Sequence, residues 1–211
     1  MYLFNRLIVT SGDMEAVMPA VHEVAAVMKH EAGVPFNVWV GGNGFVTGTI
    51  GFSVAYESLA ARAQVTAKLS ASKAWWAAGR NLRALASSVE PDTIYRYIHG
   101  GTMGAGIPLG TVVTQNQMQL AQGGDWMAAV KWALEYAEVC KKITGADTNV
   151  MHSVYGKLGE IVMLTGSSNA AAADERSAKL LASAEFMPKF LEGGQHAMAG
   201  SVMQRQIVKI A

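Results

Sequence analysis

The chain has 211 residues, of which 51% are apolar and only 16% charged, with a formal net charge of +1. That balance reads as compact and globular, excludes a disordered chain, and leaves no basic footprint for nucleic acid or an acidic membrane surface. A single cysteine, Cys140, excludes an internal disulfide framework and a Cys-based zinc site.

From the first residue onward, Leu3–Thr10 reads as a strand. There is no basic segment followed by a long apolar one, and no apolar run reaches the ~20 residues of a membrane span, so a cytoplasmic protein is expected. Met14, Val17, Met18, Val21, Val24, Ala25 and Met28 then recur at helical spacing, behind Asp13 as an N-terminal acid and ahead of Gly33 as a left-handed stop. Strands follow at Phe36–Val40 and Thr47–Tyr56 around a Gly-rich turn. A helical stretch over 57–88 comes next, and Thr93–His99 closes the series.

The same series then repeats. At a spacing of 112 residues, 1–99 lies over 113–211 without a gap, leaving 100–112 as a connector. Asp13 falls on Asp125, Gly33 on Gly145 and Asn37-Val38 on Asn149-Val150. The helical stripe recurs as Trp126, Ala129, Val130, Ala133, Tyr136, Ala137 and Cys140. Strands are expected at Val113–Leu120, Asn149–His152, Ile161–Thr165 and Arg205–Ile210, with a helical stretch over 169–199. The connector's glycines have a GxGxxG-like spacing, but Pro108 and the strand after it leave no helix for a phosphate to cap, so it reads as a linker.

Each repeat is therefore β-α-β-β-α-β, the ferredoxin-like unit, and the fold class is α+β. A four-stranded sheet with both helices on one side leaves its other face bare. Two such sheets are expected to pair into an α/β barrel within one chain.

Asn5-Arg6-Leu7-Ile8-Val9 with Gly12, and Tyr56-Glu57-Ser58 at the end of the third strand, carry a resemblance. The chain resembles the dimeric α/β-barrel superfamily and, within it, the antibiotic-biosynthesis-type monooxygenases and heme-degrading enzymes. The resemblance implies a small-molecule-binding barrel, a cofactor-independent monooxygenase or cyclase acting on an aromatic or polyketide-like metabolite. Asn5 matches the heme-degrading branch's first-strand Asn. That branch also has a His in the second helix, where this chain reads Ser72-Lys73-Ala74-Trp75-Trp76 and, in the second repeat, Glu185-Phe186-Met187-Pro188. Heme, and any other cofactor, is not expected.

Period-two alternation sorts the strand faces. Asn5, Gln115, Gln117 and Gln119 share one face of the first strands, opposite Met118 and Leu120, and are expected to look into the barrel. Ile94 and Ile98 belong with the helices, which puts Tyr95, Tyr97 and His99 inside. In the second strand either face fits, Asn37, Trp39, Asn149 and Met151 or Val38, Val40, Val150 and His152, and the Asn-Val shared by both repeats favours Asn37, Trp39 and Asn149 inside. The expected site has His99 and Tyr97 as proton-transfer groups and Asn5, Trp39, Tyr95, Gln115 and Gln117 against the substrate. Two alternatives stay open: a non-catalytic binder of a hydrophobic ligand, and a structural module with a filled barrel. The low charge content and the Trp75-Trp76 pair predict a homo-oligomer.

Overall fold

The computed structural model describes residues 1–11, 13–101 and 106–211. Gly12 and connector residues 102–105, which hold part of the glycine pattern noted above, lie outside the described residues.

The first repeat runs β1 (Tyr2–Thr10), α1 (Met14–Ala32), β2 (Asn37–Gly41), β3 (Thr49–Tyr56), α2 (Leu59–Ala71), α3 (Lys73–Ala84), β4 (Ala86–Val89) and β5 (Thr93–His99). The second runs β6 (Val112–Gln119), α4 (Trp126–Thr144), β7 (Thr148–Tyr155), β8 (Glu160–Ser167), α5 (Ala170–Ala182), α6 (Phe186–Glu192) and β9 (Met203–Lys209).

The long helices start and stop where their local chemistry dictates. Asp13 accepts from the Glu15 amide and Asp125 from the Ala128 amide, each satisfying a donor left free in the first turn. Gly33 (φ 72°) and Gly145 (φ 74°) end the helices in the left-handed region, donating to the carbonyls of Lys29 and Lys141. Both helices are 19 residues long. Val17, Val21, Val24 and Met28 of α1 are buried on one face, as are Ala129, Ala133, Tyr136 and Cys140 of α4.

Eight strands close into an antiparallel barrel in the order β3-β2-β9-β6-β8-β7-β5-β1, with β1 returning to β3, while β4 adds to the outer part of β1. Within each repeat the order is that of a ferredoxin-like sheet, β5-β1-β3-β2 and β9-β6-β8-β7. The sheets join through β2–β9 and β5–β7. Two ferredoxin-like repeats thus pair into an α+β barrel inside one chain, with the helices packed on its outside.

Three details differ from the sequence reading. The uniform spacing of 112 holds for α1 and α4, yet the register slips on either side of β2 and β7. Trp39 pairs with Gly51, which pairs with Leu7; Met151 pairs with Val162, which pairs with Gln117. Leu7 therefore stands in the place of Gln117, a spacing of 110, and Gly51 in the place of Val162, a spacing of 111. A slip of two leaves strand parity intact, so the inward face of the first strands is the expected one. Secondly, the helical stretch 57–88 breaks at Ser72, which ends α2 and caps α3 by accepting from the Trp75 amide at 3.1 Å. Its last residues form β4, because they find a hydrogen-bonding edge on β1. Thirdly, the stretch 169–199 breaks at Ser183 between α5 and α6 and unwinds before β9.

Candidate functional site: the open end of the barrel

The barrel interior has two different ends. At the end crossed by the connector, Leu3, Trp39, Val113, Met151 and Leu164 pack with Tyr97, Ile107 and Ile207 into an apolar plug. The Trp39 indole, 2% exposed, donates to Ser53 Oγ at 2.8 Å. The connector is held over this end by the Gly101 amide on Asn149 Oδ1 (2.7 Å) and by Lys209 Nζ on the Ile107 carbonyl (2.6 Å).

The other end is open. Asn5 and Leu7 of β1, Tyr95 of β5, Gln115 and Gln117 of β6, Glu160 of β8 and Arg205 of β9 enclose a cavity of about 260 Å³. The loop residues Glu90-Pro91 and Gly156-Lys157 form its rim.

Glu160 is the centre of this wall. It opens β8 directly after Gly159, whose φ of +79° turns the chain, and it alternates with the buried Val162 and Leu164 on the inward face. Although a carboxylate, it is only 3% exposed. Burying such a group is costly unless its oxygens are met by donors. Here Tyr95 Oη donates to Oε2 at 2.9 Å, Gln117 Nε2 donates to Oε1, and Gln115 Nε2 donates to Gln117 Oε1 at 2.9 Å. Burial, and then the charge of Glu160, push the Tyr95 phenol far above its ordinary range, so it remains a donor.

Arg205 occupies the opposite flank of β6. Its guanidinium lies 4.9 Å from the centre of the Phe45 ring, and Nη2 reaches the thioether sulfur of Met203 at 3.2 Å. Its Nε is buried with no hydrogen-bond partner among the described residues.

Of the residues expected at the site, Asn5, Tyr95, Gln115 and Gln117 come together on this cavity. Trp39 and Tyr97 face inward but belong to the plug; the Tyr97 hydroxyl is buried without a partner among the described residues. His99 is a correction. The pairing of β5 with β7 shifts between Tyr97 and His99, and this irregularity sets His99 against Val150, which belongs to the helix-side core. Its imidazole is 40% exposed and lies 3.9 Å from Glu138 of α4, outside the barrel. Glu160 and Arg205 were missed. The alternation Glu160-Val162-Leu164 would have revealed Glu160 had the third strand been sorted by face.

Larger hollows lie between sheet and helices, one of about 320 Å³ beside Phe36, Trp75 and Trp76 and one of about 290 Å³ beside Tyr136 and Cys140. Sheet-side polar groups there are already committed. Arg6 grips Asp92 through two contacts of 2.7 Å, and Arg176 is bonded to Thr114 and Ser167. Arg80 and Arg83 on the first of these hollows are exposed to solvent, whereas the smaller interior cavity keeps a cation, Arg205, with a buried nitrogen unpartnered among the described residues.

No family model and no curated protein sequence matches the chain. Solved structures do. An anthrone oxidase-like protein superposes with a TM-score of 0.70 at 9% identity, over 100% of this chain and 91% of its own. A candidate monooxygenase from Fusobacterium nucleatum subsp. nucleatum gives 0.67 at 8% identity, over 100% and 92%. A heme-binding protein from Thermus thermophilus gives 0.58 at 11%, over 100% and 91%. The likeness is one of fold: two ferredoxin-like sheets closed into one α+β barrel within a single chain.

Heme does not suit the interior cavity. Its walls hold neither His nor Cys, common ligands of heme iron, and the one phenol, Tyr95, is engaged by Glu160 and keeps its proton. Among the described residues no helix is long and apolar enough to cross a membrane.

Proposed function

We propose that the open end of the barrel is the active site of a monooxygenase-type enzyme that uses no cofactor and acts on a small aromatic molecule. The observation that carries this reading is Glu160, a buried carboxylate in a cavity wall, held by Tyr95 and Gln117. The likeness of the barrel to proteins described as a monooxygenase and as anthrone oxidase-like supports it.

Glu160 is the proton acceptor in this reading. Each of its oxygens has a lone pair beyond the one already used, and two fixed donors keep the group in one orientation. It takes a proton from a ring CH₂ next to a carbonyl. The electron pair left on that carbon goes to dioxygen, forming a C–O bond, and the peroxide takes the proton back from Glu160. The resulting hydroperoxide loses water to leave a new carbonyl, so CH₂ and O₂ become C=O and H₂O. Asn5 and Gln115 orient the substrate. At about 260 Å³ the cavity is just below the roughly 300–1,000 Å³ usual for ligand pockets, which favours one or two rings over three.

Oxygen uptake with a panel of hydroxylated one- and two-ring ketones tests the proposal. The wild type should consume oxygen, and Glu160→Gln should reduce the rate by about 10²-fold or more. Equal rates in the two proteins would remove Glu160 from the chemistry. Binding without oxygen uptake by the wild type would leave a ligand carrier.

A further inference from the structure

We propose that the ligand of the interior cavity is a small aromatic acid, which presents its carboxylate to Arg205. The inference rests on the cavity reading above and adds the substrate class.

Arg205 is a charged group without a matching partner. Among the described residues its only hydrogen-bond acceptor is the Met203 thioether, a weak one, and its Nε is buried with none. A buried guanidinium nitrogen left in this way is costly, because the group has lost water and gained nothing equivalent. The cavity's acid does not answer it. Arg205 pairs with Gln115 on one flank of β6, and Glu160 pairs with Gln119 on the other. The hydrogen-bonded Gln115 and Gln117 side chains lie between them, and both Glu160 oxygens already accept. At the rim, Lys157 and Glu90 oppose each other in charge, so Arg205 supplies the uncompensated positive end.

The guanidinium is also held in place. The β2–β3 loop runs alongside β9 through the Gly42 amide on the Gln206 carbonyl and the Gln206 amide on the Asn43 carbonyl, both 2.8 Å, and delivers Phe45 onto the guanidinium. Gly44 permits this approach: its φ is +80°, and a Cβ there would come within 2.7 Å of the Gln204 carbonyl oxygen. A planar fork fixed on one face by an aromatic ring is already arranged for two parallel bonds to a carboxylate. An aromatic acid bound there directs its ring along the Gln115-Gln117 wall towards Glu160. The carboxylate stays on the flank away from that like charge.

Calorimetric titration with 2-hydroxybenzoate and with its neutral amide, 2-hydroxybenzamide, tests the proposal. The wild type should bind the acid about tenfold or more tightly than the amide. In Arg205→Gln that preference should vanish while amide affinity is kept, and in Arg205→Lys it should fall severalfold because the fork is lost. The lysine variant gives the same readout should the glutamine variant fail to fold. Equal wild-type affinities, or a preference that survives in Arg205→Gln, would overturn the anion assignment and leave the cavity reading standing. Binding of neither probe would overturn both.

Discussion

The two ends of the barrel are built from the same eight strands with the same alternation, yet one is filled and the other is open. At the filled end the inward positions carry Leu3, Trp39, Val113, Met151 and Leu164. At the open end the same strands carry Asn5, Gln115, Gln117, Glu160 and Arg205. Tyr95 spans both, with its ring in the plug and its hydroxyl on Glu160. Closing a barrel therefore does not require filling it throughout. Stability can be concentrated in one layer, which frees the other to hold polar groups that packing alone would not retain.

Trp39→Ala is the largest test of this division. It empties the centre of the plug and should cost about 3–5 kcal/mol in urea or thermal unfolding. A loss under about 1 kcal/mol would mean that the plug does not carry the fold. Next is Tyr95→Phe, which removes one of two donors from a buried carboxylate and should cost about 1–3 kcal/mol. Two residues further along the same strand, Tyr97→Phe should behave oppositely. The hydroxyl it removes is buried without a partner among the described residues, so stability should stay level or rise by up to about 1 kcal/mol. Equal losses from the two tyrosine variants would erase the distinction between the ends.

The smallest effect is a slope in alkali. Burial pushes the Tyr97 phenol up to about 12, against ~10 in an unfolded chain. Its contribution is complete below about pH 10. Above that the unfolded chain releases a proton that the folded chain keeps, so stability falls as pH rises through the folded value. Following unfolding across this range, Tyr97→Phe should decline less steeply than the wild type. Identical slopes would show that the hydroxyl is reached by water.

Much of the fold could be read from local chemistry. Asp13 and Gly33, and Asp125 and Gly145, cap their helices through neighbouring amides and carbonyls, so their positions survive any error elsewhere. The inward face of β1 and β6 was readable because a two-residue slip preserves alternation. Features that depend on pairing were not readable. His99 leaves the barrel because of a shift between β5 and β7, and β4 exists because β1 offers it an edge. Ser72 belongs to both kinds: a serine can cap a helix, but only the packing of α2 and α3 shows that it ends one and begins another. Half the candidate site was therefore visible as alternating amides, while Arg205 and Glu160 acquire meaning only from strands that meet across the closed sheet.

Fusing the two halves has a consequence for the carboxylate. A barrel made from two identical chains must place every interior group twice, once on each side of its dyad. Two glutamates facing one another in such a space would repel, and one would have to hold its proton. In this chain the register sets Thr49 where the other half has Glu160, and Thr93 where it has Arg205. Covalent duplication lets the halves diverge, so the strands of the open end carry one acid, one base and a direction from one to the other. A substrate entering it meets a polarity that no symmetric pair of chains could offer along its axis.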